Sequence, residues 1–494
     1  MQKVALALYV KNEFSDIAGW IAWHLALGIN TIFIFDDQSD DGTFNIIKSA
    51  SKEYDIRYFR TNPDHIIDHD VRHADCLQRA ASMAENEFDW IGFLDADEYL
   101  SLKEDKNISE FLNKFHKFDA VAINWCIYGS SGKVIRPTKP APDVFKSHSE
   151  ESFIHNHLVK SFIRPKYFGK NYRNPHRYYD IEENNYANPN SEVINWDDCY
   201  NRDVSWSKAK IMHFVCRSME HYVSRIKRRV NIDLDDSQDY WNTFNRNEKY
   251  DNTPDLFMGD TYIILSNIYS KCVDDAIDLC SKILFIPKKL KLVDTKISCF
   301  RLKTYYGNYI FYDKKNRKIL HTSEENECEN LIPIYGMTFS SSENYLHIYG
   351  IENNILYNGP IFMEMDRRIS NILTYKINKY WNDDTICLRH ISQNSFVSSE
   401  VTENDFNYLK CNRRSANEWE RFYLKEVENH NLNTSTLSIE VSEEYIEIDQ
   451  FLSWVRISSP FISKESFLMN FSMLSNESKK MVEHHCLGLM EVFK

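Results

Sequence analysis

Residues 90–100 read WIGFLDADEYL. Five mostly apolar residues, Trp90 to Leu94, run into three carboxylates in four positions, Asp95, Asp97 and Glu98. The apolar run has the length and composition of a strand buried on both faces. Carboxylates crowded at the end of such a strand repel one another. Each has a raised pKa unless a cation or several hydrogen-bond donors offset the charge. The stretch is therefore either an acidic turn that follows a core strand or a site built for a cation, and its surroundings decide between the two.

The residues before it alternate strand and helix. VALALYV (4–10) reads as a strand, and the segment Asp16 to Leu27 carries Ile17, Trp20, Ile21, His24 and Leu25 at helical spacing. TIFIFDD (31–37) is a second strand ending in acid, GTFNIIKSASKEY a helix, IRYFR (56–60) a third strand, and residues 72–87 a helix leading to WIGFLD as a fourth strand. This βαβαβ order predicts a mostly parallel sheet with helices on both faces, in which ligands bind beyond the carboxyl ends of the strands. Three of those ends are polar: Lys11-Asn12-Glu13, Asp36-Asp37 and Asp95-x-Asp97-Glu98. One acidic strand end is chance; three at one edge read as a site.

Beyond residue 100 the pattern continues with strands at DAVAINW (119–125), HLVKSFIRP and AKIMHFV (209–215). Residues 133–152, rich in Pro, Lys and Ser, read as a loop, and RSMEHYVSRIKRRV as a basic amphipathic helix. A first domain over 1–234 is followed by a helical connector over 235–292. From Ile297 the chain becomes short strands and turns. FRLKTYYGNYIFYD (300–313) lines up with ICLRHISQNSFVSSE (386–400) over two periods of about 43 residues, with ENYLHIYGIENNILYNG (343–359) near the middle register. Three such units predict a trefoil-like all-β domain over 293–430; residues 431–494 carry no clear assignment.

The chain has 494 residues and is 43% hydrophobic and 14% aromatic, enough to bury more than one core. Its formal charge of −13 argues against a nucleic-acid partner. Eleven cysteines without C-x-x-C or zinc-like spacing suit buried thiols in a reducing compartment. VALALYV passes at once into KNE, which is no signal peptide, and no stretch reaches the roughly 18 to 20 apolar residues of a membrane span. The expectation is a cytoplasmic protein, with peripheral contact at the inner face of a membrane left open.

KNE followed by a helix with Trp23-His24 and Gly28-Ile29, together with FDDQSDDGT (35–43), DWIGFLDADEYL, INWCIYGSSG (123–132), VKSFIRP (159–165), His176 and HFVCRS (213–218), resembles the bacterial glycosyltransferases of the family 2 and family 92 type over about residues 1–230. The resemblance implies a GT-A domain that transfers a sugar from a nucleotide-sugar, with UDP favoured. By position, Asp36 or Asp37 would contact the base, with Glu13 nearby. Asp95 and Asp97 would be the D-x-D pair, His213 the third metal ligand, and Lys160 and Arg72 the cations that neutralise phosphate. A diphosphate among carboxylates calls for a bridging divalent cation, and a carboxylate set with one imidazole favours Mn²⁺, or else Mg²⁺. Gln38 and Phe214 depart from the family pattern.

An inverting transfer needs a carboxylate to take the acceptor hydroxyl proton. Glu150 and Glu151 are the candidates, weighed against ordinary surface acids, while Glu98 reads as a structural acceptor. Trp125 and His176 are candidates for the acceptor site, weighed against buried structural roles. Arg225, Lys227, Arg228 and Arg229 form a cationic helix face that would attract an anionic or lipid-linked acceptor, or simply face water. LRHISQNSFVSSE and LKCNRRSANEWERF (409–422) resemble the fascin-like β-trefoil, with Trp419 and Phe422 expected in its core and a growing glycan as its expected ligand. The sequence thus predicts a metal-dependent hexosyl-type glycosyltransferase acting on a glycan or lipid-linked acceptor in surface polysaccharide or lipooligosaccharide synthesis. Two alternatives stand beside it. A non-catalytic carbohydrate-binding protein would act through the trefoil alone. A nucleotidyltransferase would want a Gly-rich basic loop after the first strand, where KNEFSD stands.

Overall fold

The computed structural model describes residues 2–169, 171–229, 237–285, 292–323, 330–401, 407–428, 437–439, 441 and 445–494; the side chains of Arg228 and Arg229 lie outside the described residues. The chain divides into two compact units, Met1–Ile268 and Tyr269–Lys494.

The first unit begins as β1 (Val4–Val10), α1 (Ile17–Ala26), β2 (Thr31–Asp36), α2 (Thr43–Ala50), β3 (Ile56–Arg60), α3 (His69–Ala84) and β4 (Trp90–Phe93). It continues as β5 (Glu98–Leu102), α4 (Ile108–Asn113) and β6 (Ala120–Ile127). A nine-stranded sheet has the order β3, β2, β1, β4, Val159–Ile163, β6, Ala209–His213, β5, with Tyr186–Ala187 beside β6. β1 to β4 are mutually parallel; Val159–Ile163 enters antiparallel between β4 and β6, and β5 closes the far edge antiparallel to Ala209–His213. The sheet is thus mixed but predominantly parallel. Both faces of β1 and β2 are buried, as their unbroken apolar runs require. On one face Ala5, Ala7, Phe33, Phe35, Ile91 and Phe93 pack against Cys76, Leu77, Ala80 and Ala84 of α3.

Three local differences from the sequence reading have clear causes. α3 starts at His69 rather than 72, because Asp68 caps it by accepting from the amides of Asp70 and Val71. WIGFLDADEYL is two strands rather than one: the chain leaves β4 at Phe93, turns through 94–97, and re-enters at the opposite edge as β5. Residues 133–152 are not all loop, since Ala141–Val144 is a short helix and Ser147–His148 pairs with Lys249–Tyr250.

In the second unit six strands close on themselves. Ile297–Thr304 pairs with Leu331–Phe339, then in turn Tyr345–Glu352, Ile372–Asn378, Thr385–His390 and Arg421–Val427, which returns to Ile297–Thr304; every pairing is antiparallel. Tyr309–Asp313 with Lys318–Thr322, and Ser395–Ser398 with Lys410–Arg413, form hairpins outside the ring. The three sequence units begin on the first, third and fifth ring strands in chain order. Phe422 is fully buried, but Trp419 is 38% exposed with Arg413 over its ring, so it is not a core residue. Helices at Ile448–Ser458, Lys464–Ser472 and Asn476–Cys486 fill the unassigned C-terminal stretch, their core built on Phe451, Trp454, Phe467 and Phe471. Among the described residues no helix is long and apolar enough to cross a membrane. The ten described cysteines are all buried and none is in a disulfide.

Two outcomes follow from this packing. A Cβ on Gly92 would stand 2.5 Å from the Phe162 ring, so Gly92→Ala is expected to destabilise the first unit by about 1–3 kcal/mol in urea denaturation. In the second unit Lys479 is 4% exposed and donates to Ser392 Oγ at 3.0 Å. Burial, and then Arg368, push its pKa down from 10.5 to about 7, against a smaller opposite pull from Asp366. The unfolded chain therefore binds the extra proton between about pH 7 and 10.5, so this lysine's contribution to stability rises with pH across that window. Lys479→Met is expected to flatten that rise in denaturation curves followed from pH 7 to 10.

Candidate active site

The carboxyl ends of β2, β1 and β4 lie side by side, with Val10 opposite Asp36, Asp36 opposite Arg60, and Ala7 opposite Phe93. Asp37, just past β2, is buried and held by Arg72, whose Nε and Nη2 reach its two oxygens at 2.7 and 2.9 Å; Thr61 Oγ1 donates to it at 2.6 Å. Burial alone would raise the Asp37 carboxyl, but hydrogen bonds from Arg72 and Thr61 hold it well below the usual range. Asp36 accepts from Arg60 Nε at 3.0 Å and from the Ser39 amide through Oδ2, while its buried Oδ1 has no partner among the described residues.

Lys160 stands at the centre of the acidic turn. Its side chain is 1% exposed, and Nζ lies 2.9 Å from Asp95 Oδ2 and 3.0 Å from Glu98 Oε2. Glu98 Oε2 also accepts from the Asp95 amide at 2.9 Å, while its buried Oε1 has no partner among the described residues. Burial drives the Glu98 carboxyl up to about 7, against the opposing pull of Lys160. Asp97 faces a different set: His213 Nε2 at 3.6 Å and Arg225 Nη1 at 3.2 Å. Burial would raise the Asp97 carboxyl, but His213 and then Arg225 and Arg217 bring it far below its ordinary value.

Residues that composition could not single out complete the turn. Arg217 Nη1 donates to Glu13 at 2.6 Å and lies 3.1 Å from Asp16, while its Nη2 donates to the Ala96 carbonyl at 3.0 Å. One guanidinium thus ties together the β1 loop, the start of α1 and the D-x-D turn. His221 Nε2 reaches Asp16 at 3.1 Å. α1 braces the same turn from its edge: Trp20 Nε1 donates to the carbonyls of Asp95 and Glu98, and Trp23 Nε1 to that of Leu100. Asn12, Gln38 and Arg217 have left-handed backbones, with φ of 56°, 57° and 52°. Such conformations cost on the order of 1 kcal/mol or more and cluster where structure is held for function. The signal for Arg217 was its place in HFVCRS, one turn of chain beyond His213.

The structure brings Glu13, Asp36, Asp37, Arg72, Asp95, Asp97, Lys160 and His213 to one sheet edge, with Trp125 and His176 behind them. The Trp125 ring lies 4.2 Å from that of His213 and 5.3 Å from that of His176. His176 Nδ1 bonds the Val159 carbonyl, and burial lowers its pKa to about 4. The cations of Arg72 and Lys160 are already engaged by carboxylates. Arg225 turns inward to Asp97 and the Val215 carbonyl rather than lying on a solvent face. Glu150 is exposed and paired with Lys249 at 3.1 Å, and Glu151 lines a separate cavity; neither is hydrogen bonded or ion paired to Asp95, Asp97 or His213.

The unit is of the open-sheet α/β class, in which ligands bind beyond the carboxyl ends of the strands, and its braced carboxylates gather at that edge. The chain belongs to glycosyltransferase family 92, whose sequence profile matches residues 4–250. A glycosyltransferase family 92 protein of Oryza sativa subsp. japonica is 23% identical over 179 residues, covering 35% of this chain and 29% of that one. Another, of Ricinus communis, is 32% identical over 92 residues, covering 18% and 15%. The chain thus spans less than a third of the length of these relatives. Among solved structures, S. aureus TarS 1–349 in complex with UDP is 11% identical, covering 66% of this chain and 98% of that one at a TM-score of 0.27. A BEL β-trefoil is 14% identical, covering 26% and 93% at a TM-score of 0.20. Scores this low establish no shared fold.

Removing the central cation tests the electrostatic reading. Lys160→Met leaves Asp95 and Glu98 without it and is expected to cost about 3–5 kcal/mol of stability in chemical denaturation. Adding Glu98→Gln to that variant removes one buried charge and is expected to recover part of the loss; no recovery would mean that Glu98 is not the charge Lys160 offsets.

Proposed function

We propose that the first unit is a GT-A glycosyltransferase that moves a sugar from a nucleotide-sugar, UDP-linked, to a glycan or lipid-linked acceptor in surface polysaccharide or lipooligosaccharide synthesis. The observation that carries this reading is the alignment of Asp37, Glu13 and Asp95-x-Asp97 at the carboxyl ends of adjacent parallel strands in a chain of family 92. Asp37, kept ionised by Arg72, is a fixed acceptor for a base N–H or ribose hydroxyls. Arg225, 23% exposed and 3.2 Å from Asp97, is the cation best placed to turn toward a phosphate. Trp125 and His176 belong to the acceptor side in this reading.

The donor set bears on a divalent ion. Among the described residues no group of three His, Cys, Asp or Glu side chains is arranged to hold a metal. Asp97 Oδ1 and His213 Nε2 do converge at 3.6 Å, and the buried His213 Nδ1 has no partner among the described residues. Two protein donors, with substrate phosphate oxygens and water completing the shell, suit Mg²⁺ or Mn²⁺. Asp97 and His213 would hold the ion, with Asp95 beside them; the chemistry a bound ion supplies is neutralisation of the leaving diphosphate. The ring and hairpins of the second unit read as the β-trefoil that the sequence repeat predicts, a scaffold suited to holding a glycan.

Calorimetry with UDP, with and without Mn²⁺, on the native chain and on Asp97→Ala tests the proposal. Binding is expected with Mn²⁺ and to weaken at least about tenfold both without the ion and in the variant. Equal UDP binding by both proteins, or no binding of any nucleoside diphosphate, would remove the donor assignment.

A further inference from the structure

The first unit contains a cavity of about 460 Å³ that the donor site does not use. Ser101, His148, Glu151, Trp206, Lys210 and Asp251 line it. Strand register places it on the other side of the sheet from the acidic turn. His213 lies opposite Glu98 and Ile211 opposite Leu100, whereas Lys210 lies opposite Ser101 and Met212 opposite Tyr99. Side chains alternate faces along a strand, so Lys210 and Ser101 point away from the face that carries Glu98 and His213. The ring contacts agree: Trp125 meets His213 on one face, and Lys210 lies over the Tyr128 ring on the other.

The lining has a definite chemistry. Trp206 is held in place, with Nε1 donating to the Trp125 carbonyl at 3.1 Å and the His148 ring meeting it edge-on at 5.4 Å. It is a half-buried, oriented aromatic surface. Lys210 Nζ is 2.8 Å from Asp251 Oδ2, which also accepts from Tyr128 OH at 2.5 Å, so these charges cancel inside the wall. Lys103 and Glu151 add one charge of each sign. The cavity therefore offers no net charge to an anion or a cation, but it offers hydroxyls, a carboxylate and a rigid indole face. Its volume falls within the roughly 300–1,000 Å³ of small-ligand sites.

We propose that this cavity binds a neutral saccharide, one or two rings of a glycan stacked on Trp206, at a position separate from the donor site. The inference goes beyond the donor reading and does not depend on it. Ligand-observed NMR on the full chain, with glucose, galactose, mannose, N-acetylglucosamine, maltotriose, cellotriose and chitotriose as probes and glucuronate and inorganic phosphate as anionic controls, tests it. At least one neutral saccharide is expected to bind, and Trp206→Ala to weaken it about tenfold. Glu151→Trp, a change at an exposed wall position that fills the space, is expected to abolish binding without unfolding the chain, as checked by circular dichroism. Asp97→Ala is expected to leave saccharide binding intact. Silence from every neutral probe, binding of the anions alone, or equal binding by Trp206→Ala and Glu151→Trp overturns the proposal. Loss of UDP binding with saccharide binding retained would count against the donor assignment and not against this cavity.

Discussion

The buried ammonium of Lys160 is the interaction on which the acidic edge depends. Two carboxylates, Asp95 and Glu98, share it within 3.0 Å. Burying Glu98 without a partner would cost several kcal/mol or force it to take up a proton. Lys160 comes from Val159–Ile163, the one strand inserted antiparallel between β4 and β6. The interruption of the parallel order is therefore what delivers the compensating charge. Glu98 is fully buried and Asp95 is not, so burial drives the Glu98 carboxyl up to about 7 against the pull of Lys160, while Lys160 holds Asp95 down. Asp97 is left to a separate group, with His213 and Arg225 close to its carboxylate.

The second constraint is the free edge of β5. An edge strand exposes unpaired amides and carbonyls, an open invitation to pairing with another chain. Here α1 covers it with side chains: Trp20 and Trp23 donate to the carbonyls of Glu98 and Leu100, and His24 Nε2 accepts from the Leu100 amide. His24 must stay neutral to do so, and burial lowers its pKa to about 3. The same helix thus protects the sheet and fixes the turn from which Asp95 and Asp97 project. The second unit solves its edge problem differently, by closing six strands into a ring.

The βαβαβ order and the acidic strand ends were legible because each rests on short-range patterns. VALALYV and TIFIFD are unbroken apolar runs, and a strand buried on both faces has no other way to read. What escaped was whatever depends on distant partners. β5 is hidden within EYLSL, which looks like the end of a turn until Ala209–His213 supplies its pairing. Trp419 looked like core by residue type alone, yet it sits at the surface under Arg413. Arg225 looked like part of a solvated cationic face, yet it turns inward to Asp97.

By itself the sequence determined which residues end the strands and that their charges had to be answered, because the passage from apolar runs to polar residues and the crowding of Asp95, Asp97 and Glu98 are local facts. Only the tertiary structure decided which cation answers which acid. Lys160 is 65 residues from Asp95, Arg72 is 35 from Asp37, and Arg217 is 204 from Glu13. Such pairs are selected by strand order and by the depth at which each charge is buried, and neither quantity exists until the chain has folded.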